Sequence, residues 1–459
     1  MDDTIAAIAT AVGEASLGIV RVSGPQALEV AGRVFCARAG CALADVPSHT
    51  VQYGWVVDPA TGEPVDEVLA TVMRAPRSYT REDVVELSGH GGSVAVRRVL
   101  DVVLAAGARL AEPGEFTKRA FLHGRLDLAQ AEAVLQLIRA THDAAYTATL
   151  QQLRGGLSAV IQRLRERLLT VQAHLEVSVD FPGEEHATWS AAALDDTLRV
   201  VEQEVTDLLT AADRGRARLH GAVTVICGRP NVGKSSLLNA LLRRERAIVN
   251  PAPGTTRDTI EEVVILQGLP LRLVDTAGMT ETSDPVEQAG VSRSHEALAA
   301  ADVALWVVDR SMPLTPQDLA VAARLRDRRV VIALNKMDLP LRLSDADVQA
   351  ALPAAPVVPV AARSGAGVPA LEAQLVAVLQ PAAPSEPQGP WVTSARHEQA
   401  LRQAQAALRQ ARAAAVVGAS PELVAVDVRE ALDQLGTITG ESVGDELLAT
   451  IFAQFCIGK

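Results

Sequence analysis

The hydrophobic pattern of this chain changes period from one stretch to the next, and each change marks an expected boundary. Up to about residue 118, runs of β-branched residues are interleaved with helical spacing. Gly18-Ile19-Val20-Arg21-Val22-Ser23-Gly24 reads as a strand entering a turn, and Val51 to Val57, Glu67 to Met73 and Asp83 to Leu87 read as further strands. Gln26 to Phe35, with Val30 and Val34 on one face, and Val94 to Ala105 read as helices. Interleaved two-residue and 3.6-residue periods predict an α+β domain over residues 1–118.

From residue 119 the pattern turns helical. Leu126 to Val134 opens one helix. Leu157, Ile161, Leu164, Leu168, Val171 and Leu175 recur at three- and four-residue intervals, the apolar stripe of a long helix that Asp180-Phe181-Pro182-Gly183 breaks. Ala192 to Ala212 supplies another helix. Residues 216–378 alternate strand-like and helical runs, as a doubly wound parallel sheet requires. Pro381-Ala382-Ala383-Pro384-Ser385-Glu386-Pro387 is a Pro-rich linker, and Ala395 to Ala414 and Pro421 to Leu435 are helical again. The expected fold class is multidomain α/β and α. An N-terminal α+β domain (1–118) precedes a discontinuous helical domain (119–215 and 381–459), with a doubly wound α/β domain (216–380) inserted between its halves.

Composition narrows the function. With 55 acidic against 43 basic residues and a net charge of −12, the chain is not a bulk phosphate-backbone binder. A nucleic-acid contact has to be a local patch or be shared with a partner. Arg154, Arg163, Arg165 and Arg167, with Glu166, read as a solvated helix face in preference to an RNA contact. Cys36, Cys41, Cys227 and Cys456 show neither C-x-x-C nor zinc spacing, which suits a reducing compartment. Met1-Asp2-Asp3 is acidic where a signal peptide is basic, and no apolar segment reaches membrane-spanning length, so a cytoplasmic location without a membrane contact is expected.

The chemistry centres on Gly228-Arg229-Pro230-Asn231-Val232-Gly233-Lys234-Ser235, a G-x-x-x-x-G-K-S pattern behind the apolar run Val223 to Ile226 and ahead of a helix that opens with Ser236. Glycines let backbone N–H groups wrap a β-phosphate at the helix N-terminus; Lys234 reaches the β- and γ-phosphates, and the Ser235 hydroxyl ligates Mg²⁺. Asn335-Lys336-Met337-Asp338 follows the strand-like run Val330 to Leu334 and selects guanine. The Asp338 carboxylate accepts from guanine N1–H and the N2 amino group, which adenine lacks; a mismatch of this kind is worth roughly 10⁴-fold. Asn335 braces the loop and the Lys336 stem lies over the base. Asp275-Thr276-Ala277-Gly278 supplies the Mg²⁺-side aspartate and a glycine N–H that senses the γ-phosphate, and Thr256, within Gly254-Thr255-Thr256-Arg257-Asp258, is the switch threonine on Mg²⁺. Met279 stands where a water-orienting Gln is used in Ras-type enzymes. Hydrolysis then needs a substitute: a monovalent cation held by Asn231 and the loop from Asn250 to Thr255, or a downstream carboxylate among Glu281, Asp284 and Glu287. His90, between glycines and with no partner at motif spacing, reads as a turn or ligand-lining residue.

With these residues, the chain closely resembles the tRNA modification GTPase family MnmE (TrmE) along essentially its whole length. The resemblance rests on Gly18 to Gly24, Ser78-Tyr79-Thr80-Arg81-Glu82-Asp83-Val84-Val85-Glu86, Gly89-His90-Gly91-Gly92, Pro113-Gly114-Glu115-Phe116-Thr117-Lys118-Arg119-Ala120-Phe121, the GTP motifs, and the terminal Phe455-Cys456-Ile457-Gly458-Lys459. It implies a homodimer whose N-terminal domain binds 5,10-methylene- or 5-formyl-tetrahydrofolate. With an FAD-dependent partner of the MnmG type, in a heterotetramer, such a protein adds an aminomethyl or carboxymethylaminomethyl group to C5 of the wobble uridine of certain tRNAs. It further implies folate contacts at Arg21, Glu86, Arg125 and Lys459; K⁺ ligands at Asn231, Asn250, Ala252 and Thr255; Mg²⁺ ligands at Ser235 and Thr256; and a catalytic glutamate at Glu287. Pro251 and Pro253, in the GTP-binding loop Asn250-Pro251-Ala252-Pro253, depart from the family pattern, as does Ala361-Ala362-Arg363, which still offers backbone N–H groups to guanine O6. Cys456 reads either as a helix end or as a nucleophile toward uridine C6 or a one-carbon adduct. The alternative function is a ribosome-assembly or RNA-remodelling GTPase switch, against which the N-terminal block and the terminal Cys-Ile-Gly-Lys speak.

Overall fold

The computed structural model describes residues 3–180, 190–242, 261–267, 269–275, 298, 301–379 and 392–459. The chain divides into two compact units, one of Met1–Leu135, Leu153–Thr188 and Ala419–Lys459, the other of Gln136–Gln152 and Trp189–Gly418.

The first unit is built on a seven-stranded sheet. Its elements are β1 (Ile5–Ile8), β2 (Gly18–Ser23), α1 (Ala27–Val34), β3 (Phe35–Ala37), β4 (Thr50–Val57), β5 (Pro64–Met73), β6 (Val84–Gly89), α2 (Ser93–Ala105), β7 (Arg109–Leu110) and α3 (Glu115–Leu122). The strand order is β3-β4-β5-β6-β2-β1-β7, antiparallel throughout except for the parallel β1·β7 pair. Alternation sorts the faces: Val20, Val22, Val68, Val72, Val85 and Leu87 bury against Val30 and Val34 of α1 and Val96, Val99 and Val103 of α2. On the opposite face, Ile5 and Ala7 of β1 close a smaller core with Ala111 and Phe116. The chain leaves the first helix at Phe35 and enters a strand there, one residue before the end expected from spacing.

The helices follow: α4 (Leu128–Arg139), α5 (Asp143–Leu153), α6 (Gly156–Asp180) and α7 (Ala191–His220). The predicted stripe from Leu157 to Leu175 is buried along α6, which packs on α13 (Pro421–Thr439) in the first unit. Each such side chain contributes roughly 1.5–3 kcal/mol on burial. Arg165 departs from the solvated reading: it donates to Leu432 O at 2.8 Å and to Glu441 Oε2 at 2.5 Å, fastening α6 to the end of α13. Gly436 makes the room, since a Cβ there would lie 2.3 Å from Arg165 Nη1. The last helix, α14 (Asp445–Phe452), joins Phe121, Leu128 and Phe455 in a separate cluster.

In the second unit α7 pairs with α12 (Ala395–Val416), and Arg412 bridges Asp195 at 2.8 Å and Glu202 at 2.6 Å. Helix α7 runs on to His220 because Gly215 is followed by good helix formers, so strand–helix alternation starts at Ala222. The sheet contains β8 (Ala222–Cys227), β9 (Glu261–Leu266), β10 (Leu269–Asp275), β11 (Val303–Asp309), β12 (Val330–Asn335) and β13 (Val357–Pro359), in the order β13-β12-β11-β8-β10-β9. All neighbours are parallel except the β9·β10 hairpin. One face is covered by α8 (Lys234–Leu242) and α11 (Val368–Leu379), the other by α9 (Pro316–Leu325) and α10 (Asp345–Ala351). The order reverses direction at β8, and a doubly wound sheet binds its ligand at the carboxyl end of the strands at that reversal. Among the described residues no helix is long and apolar enough to cross a membrane.

Candidate functional site

The loop after β8 is held in a shape that only its own sequence tolerates. Gly228 has φ +147°, and a Cβ there would sit 2.4 Å from Val307 O on β11. Asn231 lies in the left-handed region at φ +64°, a conformation Asn accepts better than most residues. Gly233 has φ +99°, with Asn335 Nδ2 only 2.3 Å from where its Cβ would be. Lys234 then opens α8, and its ammonium donates to Gly228 O at 2.9 Å and Arg229 O at 3.1 Å. Val232 is buried, while Ser235 and Ser236 are exposed on the first turn of α8. Burial at the end of β8 pushes the Cys227 thiol up to about 12, against the opposing charge of Lys234, which leaves it inert.

Asn335 ends β12, and its buried amide joins three loops. Nδ2 donates to Val232 O at 2.8 Å, and Oδ1 accepts from Ala362 N at 3.0 Å. Lys336 has φ +64° and its ammonium donates to Asp309 Oδ2 at 2.7 Å. Met337 N donates to Val360 O at 3.0 Å, and Asp338 is exposed. The structure corrects one expectation here: Ala361 N already donates to Ala366 O and Ala362 N to Asn335, so only the Arg363 amide of that triplet is left for guanine O6. Asp275 closes β10 beside β8, in register with Ile226; its side chain lies outside what the structure describes. Asn250, Pro251, Ala252, Pro253, Gly254, Thr255, Thr256, Thr276, Ala277, Gly278, Met279, Glu281, Asp284 and Glu287 lie outside the described residues. Asp309, a buried carboxylate ending the otherwise apolar run Val303 to Val308, was not marked by any motif; its signal was a charge in a strand buried at every position.

A second cluster forms in the first unit. Arg21 and Glu86 stand directly opposite on β2 and β6 and pair at 2.8 Å. The Arg21 guanidinium lies 5.5 Å from the centroid of the Tyr79 ring and 5.6 Å from that of Phe116, and Arg125 lies over Tyr79 at 4.7 Å. Tyr79 is fixed by its hydroxyl contact with Thr117 Oγ1 at 2.9 Å. The terminal residues come to the same place: Arg21 Nη1 approaches Gly458 O at 3.4 Å, and Gly458, at φ +95°, fits only without a side chain because Ile8 O is 2.1 Å from its Cβ position. Burial and the charge of Arg21 lower the Lys459 ammonium below its ordinary range, against Glu86. Arg21, paired with Glu86, Arg125, over Tyr79, and Lys459 thus bring three cationic side chains to one neighbourhood. Cys456 is exposed, and its carbonyl accepts from Gly114 N and Lys459 N.

The remaining quoted stretches support this cluster. Arg119, 1% exposed, pairs with Asp3 at 2.8 Å, Glu82 at 2.9 Å and Glu115 at 3.5 Å. Ser23 Oγ contacts Thr80 Oγ1 at 2.6 Å and donates to Glu82 at 2.7 Å. His90 is an exposed turn residue whose Nδ1 meets Asp66 Oδ1 at 2.6 Å, and that bond raises its pKa. Asp66 lies 24 residues earlier, beyond any motif spacing.

Comparison with known proteins agrees with this geometry. Residues 4–125 match the family described as GTP-binding protein TrmE N-terminus, and residues 128–456 match the MnmE helical domain. The tRNA modification GTPase MnmE of Symbiobacterium thermophilum is 52% identical over 100% of both chains. That of Geobacillus kaustophilus is 46% identical over 100% of this chain and 99% of its own. Among solved structures, the G domain of the T. maritima FeoB iron transporter aligns with 35% of this chain and 99% of its own at 27% identity and a TM-score of 0.28, too weak a likeness to bear on the fold. With both domain families matched and relatives this similar from end to end, the chain belongs to the MnmE (TrmE) family of tRNA modification GTPases.

Proposed function

We propose that this chain is the potassium-dependent, GTP-hydrolysing subunit of a wobble-uridine modification reaction. It acts as a homodimer with an FAD-dependent partner of the MnmG type and draws its one-carbon unit from a tetrahydrofolate derivative. That it is a GTPase of tRNA modification follows from its family. The observation that carries the guanine reading is Asn335, whose amide ties the phosphate loop at Val232 to the base-side loop at Ala362.

In this reading, Gly228 to Ser235 receives the β-phosphate on backbone N–H groups, and Lys234 exchanges its loop carbonyls for phosphate oxygens. The exposed Ser235 hydroxyl on the first turn of α8, with Asp275 at the end of β10, would hold Mg²⁺, which when bound would supply charge neutralisation at the transferred phosphoryl group. Asn231, exposed on the loop, offers a side-chain oxygen to a monovalent cation; Asn250, Ala252 and Thr255 complete that assignment, Thr256 would complete the Mg²⁺ shell, and Glu287 is assigned the catalytic carboxylate. In the first unit, Arg21, Arg125 and Lys459 offer charge for the carboxylates of 5,10-methylene- or 5-formyl-tetrahydrofolate, and Glu86 offers an acceptor for its pterin N–H groups. Cys456, exposed next to that cluster in sequence, is available either as a nucleophile or as a helix-end residue. A cytoplasmic setting accords with four free thiols.

Mass analysis of wobble uridines in a strain lacking this chain tests the proposal; loss of the aminomethyl-type substituents is expected. Unchanged nucleosides would favour the assembly-switch function instead. GTP hydrolysis should be fast in K⁺ and slow in Na⁺, and equal rates would remove the cation from the mechanism.

A further inference from the structure

Asp309 sits where the two nucleotide loops meet. It is 3% exposed, at the end of a strand whose six preceding residues are apolar and buried, and stands in register with Asn335. Its carboxylate is itself held: Oδ1 accepts from Ser311 N at 2.9 Å and Ser311 Oγ at 2.6 Å. That leaves Oδ2 toward the Lys336 ammonium at 2.7 Å, with Arg229 Nη2 of the phosphate loop 3.9 Å away. Arg229 is anchored from its other side by Asp318 at 3.2 Å, and Asp318 closes the capping box of α9 with Thr315.

We propose that Asp309 is a positioning residue for nucleotide binding, holding the Lys336 ammonium so that the Lys336 stem is fixed across the guanine ring, and tying that loop to the phosphate loop through Arg229. The inference rests on the GTP reading above. A lysine side chain free in water carries about 2 kcal/mol of rotamer entropy, which ligand binding would otherwise have to remove. Lys336 is one-third exposed and pinned at one end by a left-handed backbone; pinned at the other by Asp309, it meets the base already ordered. Burial alone would raise the Asp309 pKa, yet the Lys336 and Ser311 contacts hold it below the ordinary carboxylate range, so the anchor stays charged at neutral pH.

The test uses the full-length chain, a fluorescent GDP analogue and steady-state GTP hydrolysis. Asp309→Asn keeps the shape and the Ser311 contacts but removes the charge. It should weaken GDP binding about tenfold, as loss of a charge-assisted hydrogen bond does, with the loss falling on KM rather than kcat. Lys336→Met, which keeps a stem but no ammonium, should weaken binding by a similar factor, and D309N/K336M should be no weaker than either single variant. Wild-type affinity in D309N or K336M, or losses that multiply in the double variant, would overturn the proposal. Should D309N fail to fold, K336M decides, with its Tm measured beside its affinity, because losing the partly exposed ammonium also leaves the buried Asp309 carboxylate without its cation. A wild-type chain that binds no GDP would overturn the nucleotide reading itself.

Discussion

Replacing Gly233 with alanine should abolish nucleotide binding through a defined collision. The new Cβ would lie 2.3 Å from Asn335 Nδ2, and the residue would have to hold φ +99°. The backbone conformation costs an L-residue about 1–2 kcal/mol. Asn335, 2% exposed, can yield only by giving up its bonds to Val232 O and from Ala362 N. Each is worth about 1 kcal/mol net, and about 1–3 kcal/mol if the buried partner is left unsatisfied. Together the loss is roughly 3–8 kcal/mol, or about 10²- to 10⁶-fold in affinity, which carries a micromolar site to about 0.1 mM or weaker. Titration calorimetry with GDP measures it. Because the collision is with one side chain, Asn335→Ala should relieve it, and G233A/N335A should bind more weakly than N335A only by the backbone cost of about 1–2 kcal/mol, roughly 5- to 30-fold. Wild-type-like binding by G233A, or a double variant as weak as the two losses combined, would refute the collision as the cause.

Two further predictions concern the first unit. Arg119→Met leaves Glu82 and Glu115 without their buried cation and should cost about 3–5 kcal/mol, seen in calorimetry as a fall in Tm of at least about 6 °C; a shift under about 2 °C would show that the cluster is dispensable. Asp3 is lowered chiefly by its hydrogen bond from Arg109, and Glu115 is lowered by Arg109 against the cost of burial. Their contribution is therefore complete above about pH 4 and lost as pH falls through the lowered values, so Arg109→Met should flatten the acid limb of stability against pH. Gly458→Ala, whose Cβ would meet Ile8 O at 2.1 Å, should unseat the terminal lysine and weaken tetrahydrofolate binding at least tenfold while leaving GDP affinity as it was; unchanged folate affinity would detach Lys459 from that site.

Local chemistry made much of this molecule legible. The stripe from Leu157 to Leu175, the alternation in β2, β5 and β6, and the strand–loop–helix around Gly228 to Ser235 are short-range patterns, and burial followed them. The role of Arg165 is not legible along the chain, because a charge in a helical run says nothing of what lies across from it; Leu432 O and Glu441 are more than 260 residues away. The pairing of His90 with Asp66 and of Arg21 with Glu86 likewise depends on sheet register, which periodicity along one strand does not specify.

By itself the sequence determined the order of the elements and the family, and it marked the strand–loop–helix around Gly228 to Ser235, because each resides in contiguous residues whose spacing is their geometry. Tertiary structure alone decided what those residues share. Asn335 became the joint between the phosphate and guanine loops, Asp309 the anchor of Lys336, and Gly458 the reason that the terminal lysine reaches Arg21. Such links depend on buried polar groups finding partners across strands and loops remote in the chain, and in a low-dielectric interior a partner is chosen by position, not by proximity in sequence.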